Sequence, residues 1–138
     1  MRSRGLIWPF ALLLGAMAAR RWTDVVEVRG RSMLPTLLPG DRLLVARLGR
    51  PRPADVVLAA DPRAPRREMI KRVARIDASG VHLRGDNPAA STDARAFGPL
   101  PVAGVEWRAV LRYWPPDRIG PIPPAPAQPA GEAPTTGD

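Results

Sequence analysis

Short runs of valine, leucine and isoleucine, separated by turn residues, make up the middle of this chain. Proline, glycine or aspartate lies in most of the gaps, and no long helical period is present. Six runs have the composition of strands: DVVEVR (24–29), DRLLVA (41–46), DVVLAA (55–60), EMIKRVARI (68–76), GVHLR (80–84) and VEWRAVLRYW (105–114). The pattern predicts an all-β fold class, a small domain of barrel or sandwich type over residues 24–114.

The N-terminal segment, residues 1–23, has a different pattern. It carries no charge from Gly5 to Ala19, and arginines flank both ends. Fifteen helical residues span about 22 Å, less than the roughly 30 Å hydrocarbon core of a bilayer. A cleaved signal peptide is the alternative, since AMA resembles a cleavage site, but Arg20 and Arg21 directly after it disfavour cleavage. We therefore expect one uncleaved helix that anchors the chain to membrane lipid.

The C-terminal segment, residues 115–138, contains eight of the 18 prolines and almost no large apolar side chains. Such a composition does not offset the entropy lost on ordering. The sequence therefore predicts a disordered, proline-rich tail.

Composition excludes several kinds of site. The net charge of +8 could suit nucleic acid, but the arginines are scattered and the few aromatic residues do not alternate with them. Without cysteine and with one histidine, the chain offers no disulfide, thiolate metal site or multi-histidine site. We expect no cofactor, no metal and no nucleic-acid partner.

Lysine usage is the most unusual feature of the composition. The chain has 20 arginines and one lysine, Lys71. A guanidinium does not lose its proton in a protein, whereas a desolvated ammonium can. Strand alternation puts Lys71 on one face with Met69 and Val73, an apolar setting expected to depress its pKa. The alternative is an unremarkable lysine on the sheet surface.

Ser32 lies in the turn-rich stretch VRGRSMLPTLLPGD, between two predicted strands. Together, Ser32 and Lys71 suggest a serine nucleophile with a lysine general base. His82 is the only histidine that could serve instead. Because it alternates with Val81 and Leu83, we expect it to point to solvent as an ordinary strand residue.

Five motifs then occur in order: GRSMLPTL, PGDRLLV, PADVVLA, IKRV and GDNPAASTDAR. Through these motifs the chain resembles the type I signal peptidase family. Members of this family are membrane serine peptidases with a Ser/Lys dyad on a β-rich fold. The resemblance covers roughly residues 25–110. It implies that Ser32 is the nucleophile, Lys71 the base and Met33 part of the substrate-binding surface. It further implies that Ser91 orients the lysine amine, and that four charged residues brace the site: Asp86, Asp93, Arg72 and Arg95.

Two positions depart from the family pattern. Some relatives have a serine two residues before the nucleophile, as a second donor to the oxyanion beside the nucleophile's backbone N–H. This chain has Gly30 there, so its second donor is unidentified. The common family pattern at residues 93–95 is Asp-Ser-Arg, and this chain has Ala94 at the middle position. We expect little consequence for the site, since Ser91 is retained.

Three functions are compatible with these residues. The first is a membrane-tethered endopeptidase that cuts precursor polypeptides after small residues. The second is a maturation peptidase that removes the N-terminal pro-segment of nickel-type superoxide dismutase. The motifs GDNPAASTDAR, FGPLP and RYWPP resemble those of such small peptidases. The third is an inactive or regulatory module on the same fold. The arginine count favours a cytoplasmic catalytic domain, whereas the family resemblance favours the extracytoplasmic side, which we prefer.

Overall fold

The computed structural model describes residues 7–90 and 97–127 of the chain. One helix, α1 (Ile7–Trp22), precedes all of the strands. Seven strands follow: β1 (Thr23–Glu27), β2 (Arg42–Arg47), β3 (Val56–Asp61), β4 (Ala64–Asp77), β5 (Gly80–Arg84), β6 (Trp107–Trp114) and β7 (Gly120–Pro121). Short 3-10 turns lie at Pro88–Ala90, Val102–Gly104 and Pro116–Arg118. Each of the six predicted strands is present, which confirms the all-β prediction.

The strands form a single antiparallel sheet in the order β1-β2-β6-β3-β4-β5, with β7 paired to β6. The joint between β3 and β6 consists of two residue pairs, Val57 with Arg108 and Leu58 with Trp107. The other neighbouring pairs along this order are longer. The sheet therefore has two halves, β1-β2-β6-β7 and β3-β4-β5, that meet at a narrow connection.

The domain has two hydrophobic cores, and the first of them takes residues from both halves of the sheet. The first core consists of Val28, Met33, Leu37, Leu43, Val45, Val56 and Ala109. The second consists of Val57, Ala59, Val73, Val81, Leu83, Leu100 and Val105. Met33 follows Ser32 directly, and Val73 lies two residues after Lys71 on β4. Ser32 therefore adjoins the first core, whereas the strand of Lys71 contacts both, because Ile70 packs against the first core.

Helix α1 confirms the predicted N-terminal helix but not a membrane span. It passes into β1 without a linker, and the Thr23 hydroxyl donates a 2.8 Å hydrogen bond to the Ala19 carbonyl. Within the residues that the structure describes, no helix has both the length and the apolar character needed to cross a bilayer. The single-pass anchor therefore stays a prediction.

The predicted disordered tail needs correction for residues 115–123, which the structure places against the domain. After the 3-10 turn, Gly120 and Pro121 pair with Arg112 and Leu111 of β6. Ile122 packs against the first core. The prediction was wrong here because it weighed apolar burial alone, whereas backbone pairing and arginine side chains hold this segment. Residues 128–138 lie outside the described part of the chain, so the prediction is untested there.

Candidate active site

The loop that carries Ser32 connects β1 to β2 and is closed at its base by backbone hydrogen bonds. The Val28 N–H donates to the Asp41 carbonyl at 2.8 Å, and the Gly40 N–H donates to the Val28 carbonyl at 2.9 Å. We call residues 28–41 the Ser32 loop. Because its two ends are bonded to each other, the loop projects from the sheet as one compact unit.

Inside this loop the backbone makes a helical turn that begins at Ser32. The Leu37 N–H donates to the Met33 carbonyl at 2.9 Å, and the Leu34 N–H donates to the Arg31 carbonyl at 3.2 Å. The side chains of Met33 and Leu37 are buried in the first core. Ser32 itself is half-buried. The turn thus presents Ser32 at the surface of a loop that two buried side chains hold in place.

Lys71 lies in the middle of β4, opposite Val57 of β3. The residue is only 5% exposed, although lysine is almost never buried in proteins. Met69 packs against the second core and Val73 belongs to it, so the predicted apolar setting on this face of β4 is present. The strand therefore holds the lysine stem in a mostly desolvated position.

One groove, with a volume of about 700 Å³, is lined by both Ser32 and Lys71. Its walls are β1, the first half of the Ser32 loop, and residues 67–71 of β4. Apolar side chains that line it are Val25, Val26, Val28, Met33, Leu58, Met69 and Ile70. The structure thus brings the two predicted catalytic residues, which are distant in sequence, to the same cleft between the halves of the sheet.

Asp86 and Arg72 form a buried ion pair beneath this groove. The Arg72 guanidinium donates to both carboxylate oxygens of Asp86, at 2.9 and 2.8 Å, and the side chains are 8% and 4% exposed. The Thr36 hydroxyl donates a third hydrogen bond to Asp86, at 2.5 Å. Since Thr36 belongs to the Ser32 loop and Arg72 follows Lys71, this carboxylate joins the two parts of the site.

Asn87 adds a second connection between the same elements. Its backbone N–H donates to the Ser32 carbonyl at 2.8 Å, and its side-chain amide donates to the Arg31 carbonyl at 3.0 Å. The segment Gly85-Asp86-Asn87, which alone would predict only a turn, therefore holds the carbonyl groups of the peptide bonds before and after Ser32.

Charged side chains line the end of the groove near the β3–β4 hairpin. Asp61 accepts hydrogen bonds from the Arg63 guanidinium at 3.0 and 2.8 Å. The Arg63 side chain, together with the Arg63 backbone N–H, lowers the pKa of Asp61 from 3.8 to about 2. Asp61 is therefore ionised over the whole neutral range. Among the described residues, no cluster of acidic or histidine side chains is arranged to hold a metal ion.

Three predicted site residues, Ser91, Asp93 and Arg95, lie outside the described part of the chain, as does Ala94. Their roles stay predictions. Gly30 is described and lines the groove, with a φ of +76° in the left-handed region. A serine there would be strained, so the departure from the family pattern at Gly30 agrees with the backbone.

His82 lies in the β4–β5 hairpin and does not line the groove. Its Nε2 atom is 2.9 Å from the Asp77 carboxylate and 3.1 Å from the Ser79 hydroxyl. A catalytic triad needs the serine and the carboxylate on different ring nitrogens, so this cluster is not one. The expectation of an ordinary strand residue agrees with this, but the expected solvent exposure is wrong: the side chain is 15% exposed.

Asp41 and the two arginines that bind it, Arg112 and Arg118, were not predicted as part of the site from the sequence. Asp41, which is fully buried, accepts hydrogen bonds from Leu38 N–H at 2.9 Å and from the Arg112 and Arg118 guanidinium groups. Arg112 also donates to the Thr36 carbonyl at 3.2 Å. The only sequence signal was Asp41 itself, in the motif PGDRLLV; nothing distinguishes these two arginines from the other eighteen.

Comparison with known proteins shows the family to which the chain belongs. The family described as signal peptidase, peptidase S26, matches residues 1–82, more than half of the 138-residue chain. Mitochondrial ATP-independent inner membrane protease subunit 1a of Arabidopsis thaliana is 39% identical, over 70% of this chain and 74% of the relative. Mitochondrial inner membrane protease subunit 1 of Xenopus tropicalis is 32% identical, over 72% of this chain and 74% of the relative. Subunit 2 of the Saccharomyces cerevisiae protease is 28% identical, over 70% and 71%. These matches confirm the family resemblance found in the sequence motifs: the chain belongs to the signal peptidase family, peptidase S26.

Proposed function

We propose that this chain is a membrane-tethered serine endopeptidase in which Ser32 is the nucleophile and Lys71 is the general base. The observation that carries the proposal is the shared groove, which is lined by a half-buried serine and a lysine that is 5% exposed. Burial disfavours the charged form of an amine, and a neutral amine can accept a proton. The family membership supports a proteolytic reaction at this groove.

The proposed reaction is acyl transfer in two steps. The Lys71 amine takes the Ser32 hydroxyl proton while the Ser32 oxygen attacks the carbonyl carbon of the scissile peptide bond. The Ser32 backbone N–H donates to the resulting oxyanion. The C–N bond then breaks, and the lysine returns the proton to the leaving amine. The same amine then takes a proton from water, whose oxygen attacks the acyl carbonyl. The bond between Ser32 and the acyl group breaks, and the lysine returns the proton to the Ser32 oxygen.

Two open strand edges would bind the substrate as an extended chain. In the described residues β1 pairs only with β2, and β4 residues 64–71 pair only with β3, because pairing with β5 begins at Arg72. Both strands line the groove. An extended polypeptide can pair its backbone with such an edge.

The side chains between these edges favour small residues next to the scissile bond. Val26, Val28, Leu58 and Ile70 are apolar and branched, and Met33 fills the floor near Ser32. These apolar side chains offer a charged or polar group no hydrogen-bond partner, a costly arrangement, although charged residues such as Asp61, Arg63 and Arg67 line other parts of the groove. We therefore propose precursors with small, apolar residues before the cut, as predicted from the sequence.

Helix α1 is the proposed tether. Its large apolar side chains are exposed all around it, from Leu13 at 59% to Leu12 at 72%, and it carries no charge before Arg20. A helix that is apolar on every side is stable only when something apolar surrounds it. The similar proteins of Arabidopsis and Xenopus are named as inner membrane proteases, which supports membrane association for this chain.

The catalytic proposal is tested by Lys71→Arg, assayed on a lipid-reconstituted precursor with small residues before the cut. Arginine keeps the charge but does not act as a base near neutral pH. We expect turnover to fall by about 10²–10⁴. Ser32→Ala should lose a comparable amount, and the double variant little more, since the two act as a unit. Lys71→Met, which keeps the length without the charge, checks that the size of arginine is not responsible.

The control is Arg75→Lys on the same strand, where the arginine side chain is 68% exposed and should be replaceable without loss. Wild-type turnover by a folded Lys71→Arg protein would refute the Ser/Lys assignment. If the wild-type chain itself cleaves no such precursor, the nickel-type superoxide dismutase precursor is the next substrate to assay. Inactivity there too would favour a regulatory module.

The tether is tested by carbonate extraction of membranes that contain the full-length chain. We expect the protein to stay in the membrane fraction. Release of intact protein into the soluble fraction would exclude α1 as a membrane anchor.

A further inference from the structure

The segment after β6 returns to the domain and contacts the element that carries Ser32. Residues 115–123, which we call the C-terminal strap, lie beyond the part of the chain matched by the family, residues 1–82. The Arg118 guanidinium donates to one carboxylate oxygen of Asp41, a residue whose side chain is 0% exposed. Asp41 is the last residue of the Ser32 loop, and its other oxygen accepts the Leu38 N–H at 2.9 Å.

Arg112 of β6 strengthens this connection from a second side. Its Nε donates to the Arg118 carbonyl at 2.7 Å, and its Nη1 donates to the Thr36 carbonyl at 3.2 Å and approaches the Asp41 carboxylate at 3.4 Å. One guanidinium therefore bonds both the strap and the Ser32 loop. The buried Asp41 charge is balanced by one arginine from β6 and one from the strap, which such a charge requires.

The strap also contacts the floor of the site and the strand of Lys71. Ile122 packs against the core that contains Met33, the residue after Ser32. The Pro123 carbonyl accepts a 3.0 Å hydrogen bond from Arg72, the residue after Lys71. Within nine residues, the strap is thus bonded to or packed against the supports of both proposed catalytic side chains.

We propose that Arg118 is a positioning residue that acts through Asp41, and that the C-terminal strap fixes the Ser32 loop relative to the strand of Lys71. This inference rests on the proposed function of Ser32 and Lys71. The two residues belong to opposite halves of a sheet that is joined at β3–β6 by two residue pairs. Contacts beyond this narrow joint therefore help to hold their spacing. Asp86 and Asn87 supply some of them, and the strap supplies others through Arg118 and Pro123.

The test compares variants of the full-length chain in the lipid-reconstituted assay. The assay temperature is well below the thermal midpoint of the least stable variant. Arg118→Met removes the positive charge that pairs with Asp41 but keeps an apolar stem of similar length. We expect kcat to fall about 10- to 100-fold, because a displacement of about 1 Å at reacting atoms can cost this much. KM should change by less than roughly threefold, since the interaction acts on the transition state rather than on substrate binding.

Arg118→Lys should restore most of kcat, because Arg118 contacts Asp41 through a single nitrogen that an ammonium can replace. The control is Arg75→Met, which removes an exposed arginine–aspartate pair in the β4–β5 hairpin and should leave kcat unchanged. If circular dichroism shows that Arg118→Met is unfolded, the inference is tested with Ile122→Ala instead. This variant weakens the packing of the strap without removing a charge. A several-fold fall in kcat is expected for it.

Wild-type kcat in the folded Arg118→Met protein, or in Ile122→Ala when the first variant is unfolded, would overturn the inference. So would a loss of kcat that Arg118→Lys does not reverse. Ser32→Ala is assayed in parallel. If it is inactive while Arg118→Met is fully active, only the role of the strap is refuted; if Ser32→Ala is active, the proposed function fails first.

Discussion

Asp86 offers a sharp stability test, because one carboxylate joins the Ser32 loop to β4. Asp86→Asn keeps the shape of the side chain and removes its charge. The carboxylate accepts three hydrogen bonds, two from Arg72 and one from Thr36. In the variant, the amide NH₂ group must face one of these donors, and Arg72 loses its counter-charge.

The size of the expected stability loss follows from the burial of the Arg72 side chain. The Arg72 side chain is 8% exposed, so its guanidinium has little access to water once the carboxylate charge is gone. Leaving one member of a buried pair unpaired costs about 3–5 kcal/mol. Whole domains have roughly 5–15 kcal/mol of stability, so the variant should lose a large part of it. With about 4–8 °C per kcal/mol for a domain of this size, the thermal midpoint should fall by about 15 °C or more.

The assay is urea unfolding followed by circular dichroism, with the thermal midpoint as a second measurement. Glu106→Gln is the matched control, since it neutralises an acid that pairs with Arg47 at 3.4 Å with both side chains about half exposed. An exposed pair contributes about 0–1 kcal/mol, so this control should unfold almost as the wild type does. If Asp86→Asn were no more destabilised than Glu106→Gln, the buried pair would not hold the site together.

Three further predictions concern the groove and its loop. Because the pKa of Asp61 is lowered to about 2, its ion pair stabilises the fold above about pH 3.8 and is lost as pH falls through about 2. Asp61→Asn should flatten the decline of the thermal midpoint over that interval, and an unchanged decline would contradict this. Thr36→Val, which removes the 2.5 Å hydrogen bond to Asp86, should cost about 1–3 kcal/mol in urea unfolding, and no loss would exclude the bond. Gly30→Ala should cost about 1–2 kcal/mol from its left-handed backbone alone, since the added Cβ meets nothing within 4 Å; a neutral result would mean that φ relaxes.

Much of the sheet was predictable because its strands have local signals. The run GVHLR matches β5 residue for residue, and β2, β3 and β6 begin within two residues of their predicted starts. Strand β4 begins at Ala64, four residues before its predicted start, and β7, which consists of Gly120 and Pro121 in a proline-rich stretch, was not predicted at all. A two-residue strand has no periodicity, and its pairing depends on β6, which no local pattern reveals.

The residues of the candidate site likewise fall into those that the sequence indicated and those that it did not. Ser32 and Lys71 could be selected because their residue types are rare in this chain and occur in recognisable motifs. Thr36 lay inside one of those motifs, but no spacing indicated that it would donate to Asp86, 50 residues later. The partners of Asp41 were still less accessible, since pairing between residues 71 and 77 positions apart depends on the tertiary fold.

The arginine bias that singled out Lys71 has a structural basis in the part of the chain described. Arg72 donates to Asp86 and to the carbonyl groups of Ala54 and Pro123, which belong to two other segments. Arg112 joins the strap to the Ser32 loop in the same manner. A guanidinium has five donors in a rigid fork, so one side chain can satisfy acceptors from several segments at once.

A lysine could not replace these connections, because its compact ammonium does not reach separate acceptors with fixed geometry. In a small sheet whose halves meet at two residue pairs, such connections supply the rigidity that a larger core would otherwise provide. The guanidinium groups of Arg72 and Arg112 therefore stabilise the structure because they always keep their protons. For the same reason, they cannot act as bases. At position 71 the proposed chemistry needs the opposite property, a cation that can lose its proton, and there the chain has its one lysine.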